Sequence, residues 1–127
     1  MLTPNNQDTL KKQIIRSRQF VELSDTLPKG FIHGDLFCDN AMFDGNQLTG
    51  IIDFYNACNG VFIFDLAITL NDWCSDNSGR LNYKKARELL SNYQVLRPLT
   101  CDEISVWDQA LETAALRFWM LRLVALA

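Results

Sequence analysis

No glycine-rich phosphate loop is encoded in this chain. Its six glycines, Gly30, Gly34, Gly45, Gly50, Gly60 and Gly79, are scattered, and none forms G-x-G-x-x-G or G-x-x-x-x-G-K. Two common backbone cradles for nucleotide phosphates are therefore missing. Histidine is almost absent, with His33 the single example, and Cys38, Cys58, Cys74 and Cys101 lie far apart with no C-x-x-C pair. That set argues against a zinc site. No secretory signal precedes the cysteines, and the start, Met1-Leu2-Thr3-Pro4-Asn5-Asn6, is polar. Reduced thiols and a cytoplasmic location are expected. No block of lysine and arginine stands out, and 12 basic against 15 acidic residues leave a net charge of -3, so nothing suggests a nucleic-acid footprint. The most hydrophobic stretch, Phe118 to Ala127, is too short to cross a bilayer and contains Arg122, so no membrane role is expected.

What remains has ordinary globular proportions, with 48% hydrophobic and 21% charged residues in 127. That length suits one domain with one core. Mild acidity is compatible with a cationic or zwitterionic small-molecule substrate.

The most informative segment is His33-Gly34-Asp35-Leu36-Phe37-Cys38-Asp39-Asn40, followed thirteen residues after Asn40 by Asp53 in Gly50-Ile51-Ile52-Asp53-Phe54. It supplies a lone carboxylate, an amide oxygen and a second carboxylate. Phosphoryl transfer from a nucleotide to an alcohol uses three such groups, because its loose transition state needs positioning and charge stabilisation more than covalent chemistry. Asp35 is the candidate base for the hydroxyl proton, and Asn40 and Asp53 are the candidate magnesium ligands. Magnesium keeps waters and takes only one or two carboxylates plus phosphate oxygens, so a sparse oxygen set suits it.

The spacing His-x-Asp-x-x-x-x-Asn is that of a kinase catalytic loop, with Gly34 in the variable place. The string FIHGDLFCDNAMFDGNQLTGIIDFYNACNGVFIFDLAITLNDWC, with Asp65-Leu66-Ala67 and Ala114-Ala115-Leu116-Arg117-Phe118-Trp119, resembles the aminoglycoside phosphotransferase/choline kinase-like family, in particular its bacterial homoserine kinase branch. The resemblance runs from about Leu27 to Leu123. It implies an α+β fold: the mainly helical carboxy-terminal lobe of a protein-kinase-like enzyme, with a small antiparallel hairpin carrying the site. It also implies ATP and Mg2+ as cofactors, L-homoserine as the favoured alcohol substrate and a place in threonine biosynthesis. His33 is then a structural brace beneath the metal loop, and Asp65 supports that loop through backbone hydrogen bonds. Family members also carry an amino-terminal lobe with a nucleotide-covering loop and a phosphate-reaching lysine, and neither is present here. Residues 1–127 are therefore expected to be a single partial domain. The apolar run Leu123-Val124-Ala125-Leu126-Ala127 has no glycine or proline to end it.

Other residues near the motif read more plainly. Asp39 is a solvated loop acid, and Cys38, with no basic neighbour, is an ordinary thiol. Tyr55, Asn56 and Asn59 are candidates for the acceptor pocket, with Asp72 and Trp73 weaker ones. Trp107 and Trp119 are expected in the core.

Periodicity predicts a helix from about Gln7 to Thr26, stopped by Pro28-Lys29-Gly30, and then a short β lead at Phe31-Ile32. Ala41–Phe43 and Leu48–Ile52 flank Asp44-Gly45-Asn46-Gln47, a hairpin signal whose pairing would bring Asp53 back beside Asn40. A loop at 56–60, a helix over 61–74, a flexible connection over 75–82 and a helix over 83–96 follow. Thr100-Cys101-Asp102-Glu103 is a capping box. It opens a helix with a stripe of Ile104, Trp107, Leu111, Ala114, Phe118, Leu121 and Ala125, and a break near Glu112-Thr113.

Two classes of function stay open. One is a kinase for homoserine, with choline, ethanolamine or an aminoglycoside as alternative acceptors. The other is a non-catalytic remnant or interaction module, self-associating through uncovered apolar surface.

Overall fold

Thr3 opens the first helix, its hydroxyl accepting the Asn6 N–H at 3.3 Å, with proline in the first turn. The computed structural model describes residues 3–125; Met1, Leu2, Leu126 and Ala127, at the ends of the polar start and the apolar run noted above, lie outside them. Helix α1 spans Pro4–Leu23. It begins ahead of the expected Gln7 because Thr-Pro is itself a start signal: a side-chain acceptor followed by a residue with preset φ and no N–H to satisfy. The chain then tightens into a 3₁₀ turn at Ser24–Thr26.

Strand β1 (Lys29–Ile32) and hairpin strands β2 (Ala41–Asp44) and β3 (Gln47–Ile51) lie where the sequence places them. Gly45, at φ +57°, and Asn46 make the two-residue turn between β2 and β3. Met42 faces Gly50 and Phe43 faces Leu48, so Thr49 is an extra residue bulged from β3, its hydroxyl donating to the Met42 carbonyl at 3.2 Å. The segment read as a loop at 56–60 is a correction: Cys58–Val61 forms β4, antiparallel to β1 with Ile32 opposite Cys58. Cys-Asn-Gly has little strand preference of its own, and pairing with β1 imposes the conformation.

Helices α2 (Phe62–Trp73), α3 (Tyr83–Leu96), α4 (Cys101–Ser105) and α5 (Trp107–Ala125) complete an α+β fold that is mainly helical, with two small two-stranded antiparallel sheets. Among the described residues no helix is long and apolar enough to cross a membrane. Residues 75–82 are not the loose connection expected. Ser75 bridges Leu81, and Asp76 Oδ1 accepts from the Ser78 N–H and hydroxyl and from the Arg80 N–H. These bonds, that from the Ser78 hydroxyl foremost, hold the Asp76 carboxyl below the usual range.

The capping box forms at Thr100 and Glu103, but the break in the last helix falls at Val106, between α4 and α5, rather than near Thr113. That break turns the buried stripe to Val106, Ala110 and Ala114, leaving Ile104 and Leu121 exposed. The small Ala110 and Ala114 let α5 approach α2, whose Ile63, Leu66, Ala67 and Ile68 fill the core with Phe20 of α1. Each such isoleucine, wholly buried, is worth roughly 1.5–3 kcal/mol of transfer free energy. Trp107 packs only half-buried at the edge of this core.

Candidate active site

The loop from His33 to Asn40 crosses from β1 to β2, and both ends of α2 together with α5 hold it by hydrogen bonds. Asp65, in the first turn of α2, accepts the His33 N–H at 3.1 Å through Oδ2 and the Gly34 N–H at 2.8 Å through Oδ1. At the far end of α2, Asp72 accepts the Cys38 N–H at 2.8 Å, and the Trp73 indole donates to the Leu36 carbonyl at 3.0 Å. From α5, Arg117 donates to the Gly34 carbonyl at 2.8 Å. Loop amides and carbonyls that pairing leaves over are thus met by side chains, as buried backbone requires.

Gly34 has φ +76°, and a Cβ there would lie 2.6 Å from the Asn56 carbonyl oxygen. Only glycine fits that turn, which places the next residue, Asp35, against the 54–56 turn.

His33 is buried, 6% exposed. Its Nδ1 accepts the Asp35 N–H at 3.2 Å, so the ring proton sits on Nε2, which donates to the Ile52 carbonyl at 2.8 Å. The ring packs on Phe54 with centroids 4.7 Å apart. One imidazole therefore ties the backbone beside Asp35 to the backbone beside Asp53.

The hairpin brings the backbone at Asn40 beside the residue before Asp53. Ala41 pairs with Ile51, and the Ile52 N–H donates to the Asn40 carbonyl at 3.0 Å. The Asn40 side-chain NH2 donates to the Asp35 carbonyl at 2.8 Å, which leaves its amide oxygen for other work. Asp53 is exposed and left-handed, at φ 62° and ψ 62°, the one described non-glycine residue with positive φ. Aspartate tolerates that region better than most side chains, and strained backbone of this kind gathers at functional sites.

The Asp35 carboxylate has two distinct oxygens. Oδ2 lies 3.4 Å from the Asn56 amide donor, whereas Oδ1 is buried without a hydrogen-bond partner among the described residues. Groups of three or more His, Cys, Asp and Glu side chains able to hold a metal are absent from the described residues. The donor set of one amide oxygen and one exposed carboxylate nevertheless fits magnesium, which needs few protein ligands when phosphate oxygens complete its shell.

Some of these partners escaped the sequence reading. Asp72 and Trp73, read as weaker pocket candidates, bond to the 33–40 loop, and Asn56 reaches Asp35 itself. Tyr55 is 93% exposed, and Asn59 lies exposed on β4. Arg117 carried a signal that went unused: in an apolar stretch it has no acid three or four residues away, so its charge had to find a partner elsewhere. Cys38 is exposed, yet its thiol is pushed up to about 11 by desolvation and by the adjacent Asp72 carboxylate.

Residues 2–99 match APH, described as a phosphotransferase enzyme family. Among curated relatives, the homoserine kinase of Pseudomonas aeruginosa (strain LESB58) is 52% identical over 99 residues, covering 78% of this chain and 31% of the relative. That of Methylobacillus flagellatus is 42% identical over 124 residues, covering 96% and 38%. That of Rhizobium meliloti is 44% identical over 119 residues, covering 92% and 36%. The chain thus spans about a third of the length of the curated relatives it matches.

Proposed function

The chain belongs to the APH phosphotransferase enzyme family, and from that premise we propose that its catalytic-loop face serves ATP-dependent phosphoryl transfer to the hydroxyl of a small molecule, L-homoserine. Residues 1–127 then act as one partial domain, the acceptor and metal half of such an enzyme. The observation that carries this reading is the buried Oδ1 of Asp35, without a hydrogen-bond partner among the described residues, in a loop braced by Asp65, Asp72, Trp73 and Arg117. An orphaned buried carboxylate oxygen is costly unless a ligand uses it. Here it accepts the proton of the acceptor hydroxyl, within hydrogen-bond reach of the bound alcohol. Asn56 steadies the other oxygen and keeps Oδ1 turned to the substrate.

Asn40 and Asp53 are the residues that would hold magnesium. The ion, when bound with ATP, neutralises charge on the phosphates. The Asn40 amide is oriented by its bond to the Asp35 carbonyl, so the metal ligand and the base share one rigid loop. His33 and Asp65 brace that loop from below and take no part in proton transfer. Homoserine is favoured over choline, ethanolamine or an aminoglycoside because the relatives that match over most of this chain bear the name homoserine kinase.

The test is ADP release with magnesium-ATP at high protein concentration, comparing L-homoserine, choline, ethanolamine and an aminoglycoside. Homoserine-dependent release, lost in Asp35→Asn, is the expected result. Release that persists in Asp35→Asn removes Asp35 from its role, and no release with any acceptor removes catalysis by this chain.

A second reading, an interaction module, is favoured by one observation. Phe31 is 72% exposed and stacks on the half-exposed Phe54 at 6.3 Å between centroids. An uncovered aromatic pair of this kind promotes association. Sizing chromatography tests it, and a clean monomer at high concentration would count against it.

A further inference from the structure

A cavity of about 650 Å³ opens between the 33–40 loop, the end of α2 and α5, walled by Phe37, Asn71, Asp72, Ser75, Trp119 and Arg122. It adjoins the reacting loop directly. The Phe37 N–H bonds to the Asp35 carbonyl at 2.8 Å, the Phe37 ring packs on Phe118 of α5 at 4.5 Å, and Asp72 holds the Cys38 N–H. Arg122 stands one helical turn beyond Phe118, on the face that Ala115 and Trp119 also present to the cavity. None of the ion pairs among the described residues uses it. The turn acid Asp76 is already occupied by Ser78 and Arg80. One cation outside those ion pairs and the Asp72 carboxylate therefore face a common space, beside an indole.

We propose that this cavity selects acceptors carrying both a carboxylate and an ammonium group, Arg122 taking the carboxylate and Asp72 the ammonium. This rests on the phosphotransfer reading above and names how its acceptor is recognised. A guanidinium matches a carboxylate in a planar two-point fork. Asp72 gives Oδ2 to the loop amide and lies beside the Cys38 thiol, so an ammonium held by this carboxylate couples acceptor binding to the loop that bears Asp35. An acceptor without the carboxylate leaves Arg122 unpaired. One without the ammonium leaves Asp72 unanswered and sets its charge near the ligand's. An amino acid with a side-chain hydroxyl, held at both α-substituents, has the hydroxyl as its free end.

The test is calorimetric titration of the 127-residue chain with L-homoserine, 3-aminopropan-1-ol, which lacks the carboxylate, and 4-hydroxybutanoate, which lacks the ammonium. Arg122→Met should weaken homoserine and 4-hydroxybutanoate at least about tenfold and leave 3-aminopropan-1-ol unchanged. Arg122→Lys should recover part of the loss. Asp72→Asn keeps an oxygen for the Cys38 N–H and removes only charge, so it should weaken homoserine and 3-aminopropan-1-ol and spare 4-hydroxybutanoate. Absence of homoserine binding to the parent chain overturns the proposal, as does an equal loss across the three compounds in either variant. Asp35→Asn separates the two readings, since it should abolish ADP release while the selective losses in Arg122→Met and Asp72→Asn persist in its background. Selective binding without release sinks the phosphotransfer reading alone, and homoserine-dependent release without the selective pattern sinks this one.

Discussion

The Arg117 guanidinium donates to the Gly34 carbonyl at 2.8 Å across 83 positions of sequence. That bond ties α5, an element remote in the chain, to the residue just before Asp35. A part-buried hydrogen bond with a charged donor contributes roughly 1.5–3 kcal/mol. Arg117→Met is expected to lower unfolding free energy by about 2 kcal/mol in urea titration, with Arg117→Lys recovering only part because an ammonium lacks the reach and fork of a guanidinium. An unchanged midpoint in Arg117→Met would show that the loop does not depend on α5.

Asp53 combines a candidate ligand with left-handed backbone, and the two can be separated by substitution. Asparagine tolerates that region about as well as aspartate, so Asp53→Asn should stay within about 0.5 kcal/mol of the parent. It removes the charge, so magnesium-dependent nucleotide binding should weaken. Asp53→Ala should lose the same binding and a further ~1 kcal/mol of stability, since the penalty for a Cβ in that conformation is no longer offset locally. A magnesium titration that is identical in Asp53→Asn and the parent would remove the residue from the metal site.

Much of this arrangement was legible in the chain because the determinants are local. The Asp44–Gln47 turn sets the hairpin, and the hairpin returns Asp53 to Asn40; the box at Thr100 and Glu103 starts its helix. What was not legible depends on partners far away in sequence. β4 becomes a strand only because β1 lies beside it, and the last helix breaks at Val106, where no glycine or proline marks a stop. Asp72 and Trp73 read as pocket candidates because nothing in the sequence says that the end of α2 meets Leu36 and Cys38. Trp119, expected in the core, lines the polar cavity instead, since the apolar stripe of α5 is turned by that same break.

Cys38 gives a pH-dependent handle on the loop. Its thiol is raised from an ordinary 9.0 to about 11, chiefly by desolvation and then by Asp72. Alkylation needs the thiolate, so labelling by iodoacetamide should be slow at pH 8 despite surface exposure and should climb steeply between pH 10 and 11. Asp72→Asn removes the second cause and should shift that rise to lower pH. Because the folded chain holds this proton more tightly than the unfolded one, the stabilisation is full below pH 9 and is lost as pH rises toward 11. Mass-spectrometric labelling rates check the first expectation, and urea midpoints at pH 8, 9.5 and 10.5 check the second.

The last prediction concerns Glu103, which is fully buried and serves two partners. Its Oε2 accepts the Thr100 N–H at 2.9 Å to close the capping box, and its Oε1 takes Arg97 Nη2 at 2.7 Å. Arg97 also lies over the Phe62 ring, 4.7 Å from its centroid, so the pair fastens the α3–α4 corner to the start of α2. Removing one member of such a pair leaves a poorly solvated charge, and Glu103→Ala should cost about 3–5 kcal/mol. Glu103→Gln keeps the cap and loses the charge, so it should fall between Ala and the parent. The double substitution Arg97→Met with Glu103→Gln removes the stranded guanidinium and should be more stable than Glu103→Gln alone, because the cost lies in the unpaired charge and not in lost attraction. Urea unfolding of the four proteins decides this. A double variant no better than Glu103→Gln would mean that the unpaired guanidinium carries little cost and that Arg97 stabilises the corner through Phe62 and Tyr93.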